Sequence, residues 1–398
     1  MTIKKSTVFY IILLIVYLAP SRISNAFLPY SAYVFYIGQL LFGAYFVYKY
    51  GLNFKIGTDV FFLLFLLSGI LGMVFTSGAD ILSYIRYICW IVSTVGLFTF
   101  FSRCDENDRY NFLHSAKYMF IFTIIISWFY WYAIDLANTK IIVFFWGSEA
   151  VTTHSMIMFL TLSVYFDKRY QNKLTLTTIV CGILSFIFCV VNNSGQGMSM
   201  LLFFFLFLCI NYWSKGNFQR IAKPVIISAI IAFLYYIIIS FRFTNINIIV
   251  NYITTVLSKD ITLTGRDQIF SECLKIFSEH PLIGYGYNNT IVDDTLGAIT
   301  SQFNTAHNSI LQMMIDYGLI GLAFFLIFIF GVLRRLNTIE NDLNVILYFS
   351  IISMFIGGLV NLIIPTNYFL MVVFLAVGVA KENDLAKTQA TCLSTQQY

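Results

Sequence analysis

Between Arg242 and Ala306 the chain carries Thr264-Gly265-Arg266-Asp267, then His280-Pro281-Leu282-Ile283-Gly284-Tyr285-Gly286, and it runs on into His307-Asn308. This segment mixes charged, polar and turn-forming residues, whereas nearly all of the remaining chain is apolar enough for lipid. That contrast decides the fold. Of 398 residues, 59% are hydrophobic and 11% charged, and the mean hydropathy is +0.80. A soluble domain carries roughly 25% charged residues, so the chain reads as an all-α integral membrane protein whose polar segment leaves the bilayer. Reactive groups, if present, belong in that segment, held against the mouth of a helical bundle.

A spanning helix needs about 20 mostly apolar residues. Twelve runs qualify by eye: 7–20, 27–48, 59–76, 80–101, 117–135, 152–166, 174–191, 197–213, 223–241, 312–333, 343–361 and 363–380. Lys4 and Lys5 precede the first run and no small-residue cleavage site follows it, so it reads as a retained anchor. Orientation follows from the loop cations. With the N-terminus inside, 17 of the 24 Lys and Arg residues fall in cytoplasmic segments and only Arg22 and Lys140 in short outer loops. The expected organisation is a single polytopic domain, 1–398, with both termini cytoplasmic. Within it, 242–306 forms one large outer loop and 381–398 a short cytoplasmic tail.

The net charge of +5 comes from cations scattered over short loops, which satisfies membrane orientation and does not point to nucleic acid. The seven cysteines form no framework: most lie in apolar runs, and Cys273 stands alone in the outer loop. No CxxC, HExxH or His/Cys cluster points to a metal. Inside the loop, Thr264 with Asp267 three residues on fits a capping box. Ile269, Phe270, Cys273, Ile276 and Phe277 recur at helical spacing, and Pro281 ends the run. A helix of about 15 residues lying across the bundle mouth is expected, with Arg266 in its first turn and an irregular Gly284–Asn289 loop behind it.

Gly265-Arg266, Pro281 with Gly284-Tyr285-Gly286, His307-Asn308-Ser309 and Asp316-Tyr317-Gly318-Leu319-Ile320-Gly321 together form a series. In this order and topology it resembles the signature of the O-antigen ligase and polymerase family of bacterial membrane glycosyltransferases. The resemblance covers about 60 residues; the rest matches in helix number and in having one large outer loop before the last three helices. It implies transfer of a glycan from undecaprenyl pyrophosphate to a sugar hydroxyl at the outer face of the bacterial cytoplasmic (inner) membrane. It implies no cofactor and no metal, since the lipid pyrophosphate is already a good leaving group that cations and helix ends can receive. Lipid-linked oligosaccharide and membrane lipid are the expected partners, with chain-length-regulating and flippase proteins beside them.

On that resemblance Arg266 is a candidate catalytic residue, since a guanidinium binds phosphate oxygens as a fork. His307 is the candidate general base. Candidate substrate contacts are Arg86, Gln196, Arg242, Tyr285 and Asn308. Family members often carry an arginine where this chain has Gln196, within Asn192-Asn193-Ser194-Gly195-Gln196-Gly197. Arg86, a cation within an apolar run, is the candidate to supply that charge, because a cation in hydrocarbon usually has a partner or a task. His154, close to Glu149 at the outer start of the sixth run, is a weaker candidate. Asn308, Gln312 and Asp316 share one helix face. Polymerisation of O-antigen or capsule is the favoured reading, with O-antigen ligation to lipid A–core as the alternative. A lipid-linked oligosaccharide transporter or flippase is the alternative of another class, and it would place its polar features near the bilayer midplane.

Overall fold

The computed structural model describes residues 5–18, 31–52, 54, 57–137, 144–240, 250, 255, 266–299, 305–338 and 341–395. Among these residues there are fifteen helices and no strand. The first half contains α1 (Lys5–Leu18), α2 (Ser31–Tyr50), α3 (Thr58–Phe75), α4 (Ile81–Arg103), α5 (Glu106–Ala137), α6 (Glu149–Gln171) and α7 (Leu176–Val191). The second contains α8 (Gly195–Trp213), α9 (Asn217–Ile221), α10 (Pro224–Ile239), α11 (Arg266–Glu279), α12 (Thr290–Ile299), α13 (Ser309–Asn337), α14 (Asp342–Gly357) and α15 (Asn367–Thr395).

Each of the twelve apolar runs falls on a helix. By length and composition five of them, α3, α4, α5, α8 and α13, can cross a membrane unaided. The apolar helices α1, α7, α10 and α14 are shorter. Burial accounts for part of the difference. Helix α6 is buried without interruption from Thr152 to Asp167, and α14 from Asn344 to Phe355. Helix α15 is likewise buried from Tyr368 to Lys381. A helix apolar on all sides and enclosed by protein is a core helix, and these three form the centre around which the others pack.

The two ends of the bundle differ in character. At one end Lys381 pairs with Asp59 at 2.8 Å, Lys117 with Asp167 at 2.6 Å and Lys49 with Asp108 at 2.7 Å, and Arg109 meets Glu382. These pairs join the first turns of α3 and α5 to α15, the first turn of α5 to the last turn of α2, and Lys117 of α5 to Asp167 near the end of α6. The other end of α6, some 30 Å away at 1.5 Å per residue, opens onto the cavity described below.

One packing device positions that cavity. Gly318 breaks α13 with φ 64° and ψ −173°. An unbroken helix would bond the amides of Leu319 and Ile320 to the carbonyls of Ile315 and Asp316. Instead those amides donate to the carbonyls of Pro281 and Leu282, at 2.9 and 3.1 Å. The freed carbonyls of Ile315 and Asp316 accept from the amides of Tyr285 and Gly286, at 2.7 and 2.8 Å. The Pro281–Gly286 loop is therefore inserted into the helix break, and every backbone group the break exposes is paired, as a broken helix at membrane depth requires. A Cβ on Gly318 would lie 2.2 Å from the Leu282 carbonyl oxygen, and one on Gly284 would lie 2.5 Å from that of Ile315.

The inserted loop holds α11 against α13. Ile269, Phe270, Cys273 and Ile276 of α11 are buried with Tyr285, Val292, Leu296, Leu311 and Ile315 in a compact apolar layer of their own. The expected helix with its apolar stripe is present; the proposed cap at Thr264 lies outside the described residues. Helix α12 was not expected. Its signal was Asn289, whose side chain accepts from the Ile291 amide at 3.0 Å, followed by Asp293 in the first turn.

Replacing Gly318 with Ala should lower stability by about 2 kcal/mol or more, because the residue needs a positive φ and its Cβ has no space. Gly297→Ala in α12, whose Cβ meets nothing within 4 Å, should be neutral or mildly stabilising. Thermal unfolding of the two purified variants in detergent checks the contrast.

Candidate active site

A cavity of about 550 Å³ opens at the end of the bundle opposite the ion pairs. Its wall is built from helix beginnings. Ser148 to Val151 come from the start of α6, Asn193 to Gln196 from the start of α8, Arg266 from the first residue of α11, and His307 from just before α13. The turn between α14 and α15 closes the wall with Val360, Asn361 and Leu362. Each helix start carries the positive end of its dipole. Several such ends around one space, with a guanidinium among them, make a seat for an anion.

Arg266 and His307, 41 residues apart in the chain, thus border one space. Among the described residues no carboxylate lies within ion-pair distance of Arg266, and burial pushes its pKa down. An arginine remains protonated even so, which leaves its charge for an occupant. His307 adopts a left-handed backbone conformation, φ 47°. Its imidazole pKa is pushed down to about 4, first by burial and then by the Arg266 cation, while a hydrogen bond with Asn361 opposes the shift. The ring is therefore neutral near pH 7 and able to accept a proton.

The backbone around His307 is tightly specified. Asn308 caps α13 by accepting from the Leu311 amide at 3.0 Å, and it donates to the Leu359 carbonyl at 2.9 Å. The Ser309 hydroxyl donates to the Asn361 carbonyl and accepts from the amides of Ile363 and Ile364. Gln312 accepts from the Ala306 amide at 2.9 Å and donates to Asp316 at 2.9 Å. The His-Asn-Ser sequence thus divides its work: Asn308 and Ser309 fasten the α14–α15 turn, and His307 faces the cavity.

Two further polar residues border the same space. His154 is 2% exposed and its imidazole meets the Gln196 side chain in a hydrogen bond. Gln196 also donates to the Gly357 carbonyl at 3.1 Å. Buried polar atoms are nearly always paired, and these two pair with each other at the cavity wall.

The other candidates read from the sequence separate. Asn308 is fully buried and its amide is used within the fold. Tyr285 is buried in the α11 layer, its hydroxyl donating to Glu279 and its ring edge-on to His280 at 4.7 Å. Neither lines the cavity. Arg86 borders a second, neighbouring cavity with Gln312 and Asp316, so the stripe of Asn308, Gln312 and Asp316 is turned into the protein. Arg242 lies outside the described residues. Asn361, the partner of His307, was missed; nothing in its local sequence marks it. Among the described residues no group of three or more His, Cys, Asp or Glu side chains is placed to hold a metal ion.

A helical membrane protein with a cationic, helix-capped cavity beside a neutral histidine is the class these features define. Residues 180–326, from within α7 to within α13, match the family model described as O-Antigen ligase. The matched segment contains Gln196, Arg266 and His307. No curated protein and no solved structure matches the chain.

The histidine reading has a measurable sign. With a pKa near 4 folded against about 6.5 unfolded, His307 contributes stability that is fully present above pH 6.5 and lost as the pH falls towards 4. The melting temperature of wild type should therefore fall more steeply than that of His307→Gln across this window in a scanning fluorimetry series. Asn308→Ala should instead lower the melting temperature at every pH, through loss of a cap worth about 1 kcal/mol.

Proposed function

We propose that the chain is a polymerase of bacterial surface polysaccharide, O-antigen or capsule, acting on undecaprenyl-pyrophosphate-linked repeat units at the outer face of the cytoplasmic membrane. The observation that carries this reading is the cavity shared by Arg266 and His307 and ringed by helix N-termini. The acceptor hydroxyl oxygen attacks the anomeric carbon of the donor. The bond from that carbon to the phosphate oxygen breaks, and its electron pair leaves on the lipid diphosphate. The hydroxyl proton passes to His307. Arg266 and the helix ends stabilise the negative charge that develops on the diphosphate.

The electrostatics support this order of events. Before the donor binds, Arg266 helps to keep His307 neutral. A bound diphosphate offsets that cation, so the imidazole becomes a stronger base when it must take the proton. Gln196 lies where the family often has an arginine, and α8 contributes its N-terminus there in place of a side-chain charge. The reaction needs neither nucleotide nor metal, because the bond to be broken is already activated.

The orientation completes the reading: twelve membrane-embedded helices, both termini cytoplasmic, and the cavity facing outward. The ion-paired end of the bundle then lies on the cytoplasmic side, in keeping with the cation count in the loops. The family description, O-Antigen ligase, favours one second reading, transfer of a finished chain to lipid A–core by the same residues.

Arg266→Ala and His307→Ala should each reduce chain growth by at least 100-fold while leaving membrane insertion intact, with single lipid-linked units accumulating. Normal polymer in both variants would overturn the assignment. Purified protein given lipid-pyrophosphate oligosaccharide, without metal or nucleotide, should produce a ladder of products. Product only on addition of lipid A–core would identify a ligase instead, and translocation without bond formation a transporter. Reporter fusions should place residue 260 outside the cell and residue 390 inside.

A further inference from the structure

The second cavity, about 380 Å³, lies beside the first and shares Leu362 with it. The turn between α14 and α15 separates the two: Val360 to Leu362 face the first, and Leu362 with Ile364 to Tyr368 the second. Its size lies within the range of roughly 300–1,000 Å³ that takes a small organic molecule. Its chemistry differs from that of the first cavity. Trp90 and Tyr287 line it as parallel rings, 6.2 Å between centroids and 6° from coplanar. Gln312, Asp316 and Asn367 border the same space.

Flat aromatic surface next to a carboxylate is how a protein holds a sugar ring: the apolar ring face stacks, and the hydroxyls hydrogen-bond at the edge. Arg86 adds a charge to this wall. Its Nε is buried without a hydrogen-bond partner, and its guanidinium lies 5.9 Å from the Tyr36 ring. Among the described residues no carboxylate stands within ion-pair distance of it. A cation in an apolar helix is costly without a partner, and a bound anion would offset that cost.

The position ties this cavity to the reaction. Gln312 bonds at once to Asp316 in the second cavity and to the amide of Ala306, the residue before His307. A ring seated on Trp90 therefore lies next to the segment that sets the backbone of the base. We propose that the second cavity is the acceptor subsite, and that it selects an acceptor sugar bearing an acidic group, a uronic acid, through Arg86. This rests on the transferase reading of the first cavity.

The test is saturation-transfer NMR with full-length protein in phosphatidylcholine nanodiscs, titrated with a glucuronic-acid disaccharide and with its neutral glucose counterpart. The acidic disaccharide should bind at least tenfold more tightly. Arg86→Gln should remove that preference while leaving neutral binding within twofold, Arg86→Lys should restore part of it, and Trp90→Phe should weaken both sugars. Equal binding of the two disaccharides, no binding of either, or a preference that survives in Arg86→Gln would overturn the proposal. So would loss of acidic-sugar binding in nanodiscs of anionic lipid, which would make Arg86 a seat for lipid phosphate. If no transfer occurs with any substrate yet this binding pattern holds, the transferase reading fails and the sugar site stands; if transfer occurs without it, the acceptor proposal alone fails.

Discussion

The architecture of the site depends on how one helix is broken. Helix α13 loses two internal hydrogen bonds at Gly318, and the Pro281–Gly286 loop replaces them with four. Unpaired backbone groups inside a membrane protein cost several kcal/mol each, so the break and the loop are stable only together. Sequence-distant segments are thereby locked into one register. Helix α3 joins the assembly as well, since the Thr76 hydroxyl donates to the Tyr285 carbonyl at 2.9 Å. Helix α11 then has a fixed end as well as a fixed apolar face, and it holds Arg266 at the cavity as a strut would.

The same segment is fastened a second time at the start of α13. Asn308 and Ser309 bond to the turn between α14 and α15, and Asn361 of that turn reaches His307. The base and the cation are thus carried by separate elements that share α13 as their common support. Polar groups at the two ends of the bundle are treated in opposite ways. At one end Lys49, Arg109, Lys117 and Lys381 each pair with a carboxylate; at the other, Arg266 and Glu149 line a cavity amid helix N-termini. An end knit together by ion pairs is structural in character, whereas a cavity that gathers a guanidinium and helix N-termini is suited to an anion.

Much of this was legible in the residues, but unevenly. The apolar runs were plain because a span of about 20 apolar residues is a local and additive signal. The stripe from Ile269 to Ile276 announced α11 for a similar reason, its period matching a helix. The glycines of Pro-x-x-Gly-x-Gly were visible as a motif, yet their purpose was not. They look like a loop that contacts substrate, whereas Gly284 has no room for a Cβ because the α13 backbone lies against it. Tyr285 and Asn308 were drawn into the candidate set by sitting beside such motifs, and both are used within the fold. His154 stands more than 150 residues before His307, and no pattern joins them.

Taken alone, the sequence determined that this is a helical membrane protein with one long polar segment, and it marked Arg266 and His307 within a series that resembles a family signature. Composition, period and short motifs are properties of neighbouring residues, so they survive without any knowledge of packing. Only the tertiary structure decided that Arg266, His307, His154 and Gln196 border one cavity while Arg86 and Asp316 border another. That division depends on which helices lie side by side. Adjacency in an apolar bundle is set by the fit of whole surfaces and by a few buried hydrogen bonds, such as those across the Gly318 break, which leave almost no local trace.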